Sequence, residues 1–159
     1  MKVLLINPPR WHELVGKNPS IIEKHRGFNP PLGLLYLASS IQSFTGHTVD
    51  VLDCQPLHFD YSQLQSHLAG MTYDVVGISA MTFTLIDATK TARLVKEAIP
   101  QATVVMGGPH VHLFPEETLG LEGVDYVLMG EAEFALNDLL NALAKGEKPS
   151  HVPGLVFHD

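Results

Sequence analysis

Residues 74–108 read "DVVGISAMTFTLIDATKTARLVKEAIPQATVVMGG" and place two short apolar runs on either side of a helical pattern. Between the runs, apolar side chains recur every three or four positions and form one stripe: Leu85, Ala88, Ala92, Val95 and Ile99. The runs are rich in Val and Ile without polar alternation, which is typical of strands buried on both faces of a parallel sheet. The stretch therefore predicts a strand, a crossover helix and a second parallel strand.

The same alternation continues in both directions along the chain. Further apolar runs are "KVLLI", "TVDVLD" and "DYVLM", and further helical patterns include "LGLLYLASSIQSF" and "AEFALNDLLNALAKG". Helices that cover both faces of such strands form a layered sandwich. The sequence thus predicts one α/β domain over residues 1–159, with a five-stranded parallel sheet. The closing "VPGLVFHD" has the pattern of a further short strand.

Composition and charge narrow the classes of partner. The chain has 17 Asp and Glu against 10 Lys and Arg, a net charge of −7, so its field repels phosphate backbones and no nucleic acid is expected. Cys54 is the only cysteine, which excludes an intrachain disulfide and an iron–sulfur cluster held by these residues alone. The start is too short for a signal peptide, and no apolar run approaches a membrane span. We expect a soluble cytoplasmic protein.

The loops that follow the strands are the expected site of function. Right-handed crossovers bring these loops to one edge of a parallel sheet, and ligands bind there. Gly107 and Gly108 would let a ligand approach the bare backbone, although a tight turn with positive φ would also explain them. Ser79, Thr82 and Thr84 offer small hydroxyls for a buried polar ligand, and capping of the next helix is an equally good interpretation of Thr82 or Thr84.

Charged loop residues allow two interpretations each. The first loop is unusually long and carries a local basic excess from Arg10, Lys17, Lys24 and Arg26, which favours a functional or mobile segment. Glu131 and Glu133 begin the last long helix, where the helix dipole alone stabilises carboxylates. Their neighbour Gly130 repeats the bare backbone of the earlier loop and makes a ligand role attractive.

Other chemistries are poorly supported. His110 and His112 with Glu116 could hold a metal ion, but two histidines one residue apart in a loop are weak evidence. Asn7-Pro8-Pro9 after the first strand supplies neither a Gly-x-Gly-x-x-Gly dinucleotide loop, nor a P-loop, nor the hydroxyl-rich loop of a flavodoxin. A receiver domain would need a phosphorylatable Asp where the chain has Ala80 and Met81, and no Gly-x-Ser-x-Gly elbow indicates a hydrolase.

Six segments in order resemble one known family. They are "INPP", "NPPLGLLYLAS", "GHTVDVLD", "DVVGISAMT", "VVMGGPHVHLFPEE" and "VDYVLMGEAE", and together they span nearly the whole chain. Each is weak alone, but the ordered set is similar to the N-terminal cobalamin-binding domain of B12-dependent radical SAM enzymes. The resemblance implies a flavodoxin-like (Rossmann-like) sandwich with strand order 2-1-3-4-5, and a corrin held at the carboxyl ends of the strands.

The resemblance also implies a set of cofactor-binding residues. Gly107 and Gly108 would let the nucleotide tail of the cofactor lie against the backbone, and Ser79 would bond to it. Others would lie around the corrin or tail: Met81, Thr82, Pro109, His110, Gly130, Glu131 and Glu133. The rim would be shaped by Pro8, Pro9, Pro31 and Gly33.

Two departures from related families shape the expected function. Methionine-synthase-like and mutase domains carry Asp-x-His-x-x-Gly, whose His lies below the cobalt; here residues 10–15, "RWHELV", have Arg for Asp and Val for Gly. The resemblance therefore implies base-off cobalamin without His12 or another protein His as ligand. The three-cysteine motif for [4Fe–4S] and S-adenosylmethionine is also absent, which implies a following C-terminal radical SAM domain in a longer protein. The chain alone is not expected to be catalytic.

Two alternatives stay open at this stage. One is a domain that keeps the fold, binds no cofactor and docks a partner through the long first loop. The other is a small metal- or metabolite-dependent α/β enzyme that uses His110 and His112.

Overall fold

One mostly parallel sheet forms the centre of the domain. The computed structural model describes residues 1–14 and 27–158. Within them, six strands form the sheet: β1 (Lys2–Asn7), β2 (Thr48–Asp53), β3 (Val75–Ser79), β4 (Thr103–Gly107), β5 (Tyr126–Leu128) and β6 (Leu155–Phe157). Their order is β2-β1-β3-β4-β5-β6, which contains the predicted order 2-1-3-4-5.

The predicted count of five parallel strands is wrong because β6 joins the sheet as an antiparallel edge strand. Tyr126 of β5 pairs with Phe157, and Leu128 pairs with Leu155. The chain reverses just before β6 at Gly154, whose φ is +72° and where a Cβ would lie 2.7 Å from the carbonyl oxygen of Met129. β6 covers one side of β5, a strand of three residues, and so protects a short edge.

Helices cover both faces of the sheet. They are α1 (Leu32–Phe44), α2 (Tyr61–Leu68), α3 (Leu85–Ala98), α4 (Pro109–Leu113), α5 (Pro115–Leu119) and α6 (Glu133–Lys145). A 3₁₀ turn at Thr82–Thr84 precedes α3. The three helical patterns quoted from the sequence match α1, α3 and α6, whereas α4 lies in a segment predicted to be a loop.

Alternate residues of the strands divide the core into two halves. From β1, Val3 and Leu5 point towards α1 and α6, while Leu4 and Ile6 point towards α2 and α3. Short α4 and α5 add Val111 and Leu119 to the α2 and α3 side. The three layers are therefore α1 with α6, the sheet, and the remaining helices.

Local sequence signals set several helix ends. Asp60 accepts a bond from the backbone N–H of Gln63, and the Gln63 side chain accepts one from the N–H of Asp60, a capping box that begins α2. Gly146, with φ +69°, ends α6 in the left-handed conformation. None of the helices within the described residues is long and apolar enough to cross a bilayer.

Candidate functional site

A cavity opens at the carboxyl edge of the sheet, where the strand order reverses between β1 and β3. It has a volume of about 460 Å³ and lies between the sheet and the pair α1 and α6. Switch points of this kind are the usual ligand site of open α/β sheets, and the volume is in the range of ligand pockets. The candidate site is therefore at the edge that the sequence indicated.

Two rows of strand residues form the sheet side of the cavity. In the outer row, Gly107 pairs with Ser79 on one side and with Leu128 on the other. Two positions deeper in the inner row, Gly77 pairs with Leu5 and with Val105. Residues i and i+2 of a strand face the same side, so both rows face the cavity.

The structure brings most of the predicted site residues to this cavity. Ten of them line it: Pro31, Gly33, Ser79, Met81, Gly107, Gly108, Pro109, Gly130, Glu131 and Glu133. The other four do not: Pro8, Pro9, Thr82 and His110. Pro8 and Pro9 are buried at the start of the loop after β1 and do not reach the cavity.

Gly107 and Gly108 differ in what a side chain would meet. A Cβ on Gly107 would find only the carbonyl oxygen of Leu128, at 3.6 Å, so it would enter the open cavity. Gly108 has φ +112°, and a Cβ there would lie 2.7 Å from the carbonyl oxygen of Ala80. Gly108 therefore serves the tight turn and close packing of β4 against the β3 loop, while Gly107 provides the open backbone.

His110 is a buried residue rather than an exposed one. Its side chain is on α4, only 3% exposed, and its Nδ1 lies 3.2 Å from the hydroxyl of Thr82. Its ring lies 5.2 Å from that of Phe114. The Thr82 hydroxyl thus has His110 as its partner. No side chain caps the start of α3 with a hydrogen bond, so the structure does not support helix capping by Thr82 or Thr84.

The metal alternative lacks a ligand cluster. His112 and Glu116 are exposed, whereas His110 is buried. Among residues 1–14 and 27–158, no three His, Cys, Asp or Glu side chains come together as a metal ion would require. The partner-docking alternative depends on the long first loop, and its Lys17, Lys24 and Arg26 lie outside the described residues.

A polar cluster that sequence analysis did not single out lies at the β1 and β2 end of the cavity. Asn7 donates a hydrogen bond to Asp53 at 2.8 Å, and the Gln55 side chain donates to Asn7 at 3.3 Å. Asn7, Gln55 and Arg10 all line the cavity, and Arg10 pairs with Glu13. Asn7 follows the buried run of β1, so its place at the end of a strand was the available signal.

The inner row was also missed. Gly77 interrupts an otherwise apolar strand, and an isolated glycine within a strand often marks a close approach of another group. That signal was present in the sequence, but the partners Leu5 and Val105 come from other strands.

His12 lies on the other side of the sheet from the cavity. Its Nδ1 is 2.8 Å from the hydroxyl of Tyr61 on α2 and 3.1 Å from Asp87 on α3. Its Nε2 is 3.2 Å from the ammonium of Lys90. With both ring nitrogens engaged between α2 and α3, His12 is not among the residues that line the cavity.

Asp87 organises this second polar cluster. Its carboxylate is fully buried and accepts bonds from the backbone N–H groups of Trp11 and His12, at 3.3 and 2.9 Å, and from the hydroxyl of Tyr61. Burial, together with this bond to the Asp87 carboxylate, raises the pKa of the Tyr61 phenol. Cys54, the lone thiol, is buried as well, and burial beside Asp53 raises its pKa to about 12.

Comparison with known proteins identifies the family. The sequence matches the family described as the B12 binding domain over residues 20–140, most of the chain. The chain belongs to the B12-binding domain family. In this B12-binding domain, the cavity lies at the carboxyl ends of the strands, which is the edge where the resemblance implies a corrin.

Relatives of this B12-binding domain are larger proteins. An uncharacterised methyltransferase of Pyrococcus horikoshii is 34% identical over the whole chain, which covers 33% of that protein. The anaerobic magnesium-protoporphyrin IX monomethyl ester cyclase of Rubrivivax gelatinosus is 28% identical over 74% of the chain, which covers 21% of the cyclase. The chain thus spans a third or less of these two relatives.

A solved structure shares the fold. The radical S-adenosylmethionine methyltransferase TsrM of Kitasatospora setae, solved with cobalamin and a [4Fe-4S] cluster bound, superposes with a TM-score of 0.80. The likeness covers 99% of the chain and 27% of TsrM at 21% sequence identity. At that identity, the comparison shows that the two share an architecture.

Proposed function

We propose that the chain is the cobalamin-binding module of a B12-dependent radical SAM enzyme, a methyltransferase or a related enzyme. The observation that carries this proposal is the open backbone of Gly107 at the mouth of a cavity, in a chain of the B12-binding domain family. A cradle that a Cβ would fill is what close approach of a large ligand to the backbone requires.

The size of the cavity decides which part of the cofactor would enter it. A corrin macrocycle with its side chains is larger than a cavity of about 460 Å³, whereas its nucleotide tail is not. The tail would pass Gly107 and the hydroxyl of Ser79, and the ring would lie over the mouth. Met81, Pro109 and Glu131, with the other lining residues, would surround the ring, and Thr82 and His110 would support this surface from below.

Cobalamin supplies a cobalt centre that carries and releases a methyl group. The chain's own contribution is to hold and orient that cofactor. The place of His12 supports base-off binding without a protein ligand, since its nitrogens face Tyr61, Asp87 and Lys90 rather than the cavity.

The rest of the enzyme would lie outside this chain. One cysteine cannot hold a [4Fe–4S] cluster, and the chain spans a third or less of the two relatives compared above. We place the cluster and S-adenosylmethionine in a C-terminal radical SAM domain that would complete the site above the corrin. An iron–sulfur cluster and unpaired cysteines fit a reducing compartment, and we therefore place the protein in the cytoplasm.

The proposal is tested by loading the protein with hydroxocobalamin or methylcobalamin, desalting it and recording its visible spectrum. We expect the wild type to retain a base-off corrinoid spectrum. Gly107→Leu should abolish retention because the new side chain fills the cavity mouth. Gly46→Leu is the matched control, since a Cβ on Gly46 meets nothing within 4 Å and Gly46 does not line the cavity. A wild-type protein that emerges colourless contradicts the proposal and favours the cofactor-free interaction domain.

A further inference from the structure

We propose that this site selects corrinoids by the base in their nucleotide tail, accepting a benzimidazole and discriminating against a purine. The inference rests on the proposed corrinoid binding and concerns the floor of the same cavity. It follows from the kind of side chains found at each depth.

The floor has no polar side chain among the described residues. Its strand residues are Leu5, Gly77 and Val105, on the adjacent strands β1, β3 and β4. These three strands are internal to the sheet, so their backbone N–H and C=O groups are used in the ladders on either side. A group that reaches this floor would find no hydrogen-bond partner there.

The helix side of the cavity is apolar as well. Leu34 and Leu37 of α1 and Leu136 of α6 line it opposite the sheet. Polar lining residues belong instead to strand ends, the loops that follow, the 3₁₀ turn and the first residue of α6: Asn7, Arg10, Gln55, Ser79, Thr84, Glu131 and Glu133. The cavity is therefore polar at its mouth and apolar at its floor.

Gly77 gives the floor its shape. A Cβ at this position would lie 2.7 Å from Cδ2 of Leu5, so the apolar Leu5 side chain leans over the glycine; no other atom outside the neighbouring residues comes within 4 Å of that point. Leu5 and Val105 stand on the strands to either side, roughly 10 Å apart at two strand spacings. With no side chain on Gly77, the floor between these strands is a low apolar surface formed by Leu5 and Val105, against which the edge of a flat bicyclic ring would pack.

The chemistry of the base then determines affinity. Dimethylbenzimidazole presents carbon and methyl groups at its far edge, whereas adenine presents an exocyclic amine and additional ring nitrogens. A polar group buried without a partner weakens binding by roughly 5- to 150-fold. We therefore expect cobalamin to bind more tightly than the same corrinoid with an adenine base, by a factor in this range.

The experiment measures dissociation constants by calorimetry for three methyl corrinoids with one corrin ring: cobalamin, its adenine-base analogue and cobinamide, which has no nucleotide tail. Each value is corrected for the cost of releasing that base from cobalt, obtained from an acid titration of the free corrinoid. This correction leaves only the contribution of the protein site to base selection.

Two variants on neighbouring residues test the role of the floor. Val105→Thr places a hydroxyl on the floor with little change of volume, and we expect it to narrow the preference for benzimidazole over adenine. Val104→Thr is the matched control, because Val104 is buried on the opposite face of the same strand and belongs to the other half of the core. We expect it to leave the preference unchanged. Gly77→Val should remove the advantage of cobalamin over cobinamide.

Each outcome separates this inference from the proposed function. Equal corrected affinities for the benzimidazole and adenine forms overturn the selection while corrinoid binding stands. Cobinamide binding as tightly as cobalamin shows that the tail stays outside the cavity, which also overturns it. Failure of all three ligands to bind defeats both the inference and the proposed function. A preference narrowed by Val105→Thr and unchanged in Val104→Thr supports the inference.

Discussion

Gly107 and Gly108 are neighbours in the sequence, yet an added methyl group should destabilise the fold at Gly108 and hardly affect it at Gly107. Gly108→Ala should lower the free energy of unfolding by about 1–3 kcal/mol, because φ is +112° and the Cβ would press on the carbonyl oxygen of Ala80. Gly107→Ala should change it by no more than about 0.5 kcal/mol, since its Cβ makes only an ordinary contact. Urea unfolding of both variants measures the difference, and an equal loss would contradict these separate roles.

At the scale of elements, the first turn of α3 anchors the start of the loop after β1. Asp87 accepts hydrogen bonds from the backbone of Trp11 and His12, and the N–H of Leu14 bonds to the carbonyl of Phe83 at 2.8 Å. Asp87→Asn exchanges one accepting oxygen for a donating amide. We expect a loss of about 1.5–3 kcal/mol in unfolding free energy, the usual contribution of a hydrogen bond to a charged group. The emission of Trp11, the only tryptophan, should shift as this anchor loosens.

Asp50→Asn is the control for the Asp87 variant. Asp50 also accepts a bond from a tyrosine, the hydroxyl of Tyr73 at 2.9 Å, but it is exposed and lies on β2. Its replacement should cost no more than about 0.5 kcal/mol and leave the Trp11 emission unchanged. Comparable losses in the two variants would mean that Asp87 acts only as a tyrosine partner and does not anchor the loop.

In helix α1, the amphipathic pattern predicts the burial of some residues correctly and fails at the last one. The spacing of Leu34, Leu37, Ile41 and Phe44 predicts one buried stripe, and Leu34 and Ile41 are buried as expected. Phe44 at the end of the helix is 68% exposed and instead contacts the ring of Phe134 on α6, with 5.6 Å between the centroids. The partner of Phe44 is thus an exposed residue of another helix, which the sequence of α1 does not specify.

At the scale of the whole molecule, a ligand that binds only the folded state raises its stability. With cobalamin at about 100 times its dissociation constant, the gain is about 2.7 kcal/mol, which corresponds to a rise in Tm of roughly 5–10 °C for a domain of this size. Gly107→Leu should lose this rise and Gly46→Leu should keep it, as measured by thermal melts followed by circular dichroism. An unchanged Tm for a wild-type protein that retains the corrinoid would contradict binding to the folded domain.

Much of the architecture was accessible from the sequence. Apolar runs such as Val75–Ser79 are buried on both faces, and long periodic segments such as Leu85–Ala98 carry enough residues for a helical repeat to be recognised. Parallel order then fixes one edge for the loops, and ten predicted residues line the cavity there. The short helix α4 was predicted as a loop because five positions cannot display a helical period, and β6 was predicted without its antiparallel pairing because a strand of three residues does not specify its partner.

The sequence by itself determined the alternation of strands and helices, the layered fold and the edge at which a ligand would bind, because these depend on local periodicity and on the handedness of crossovers. Only the tertiary structure decided that His110 turns inward to Thr82, that His12 faces away from the cavity, and that the Leu5 side chain lies over Gly77. Each of these depends on residues from separate elements that packing brings within a few ångströms, and no spacing along the chain encodes such distances.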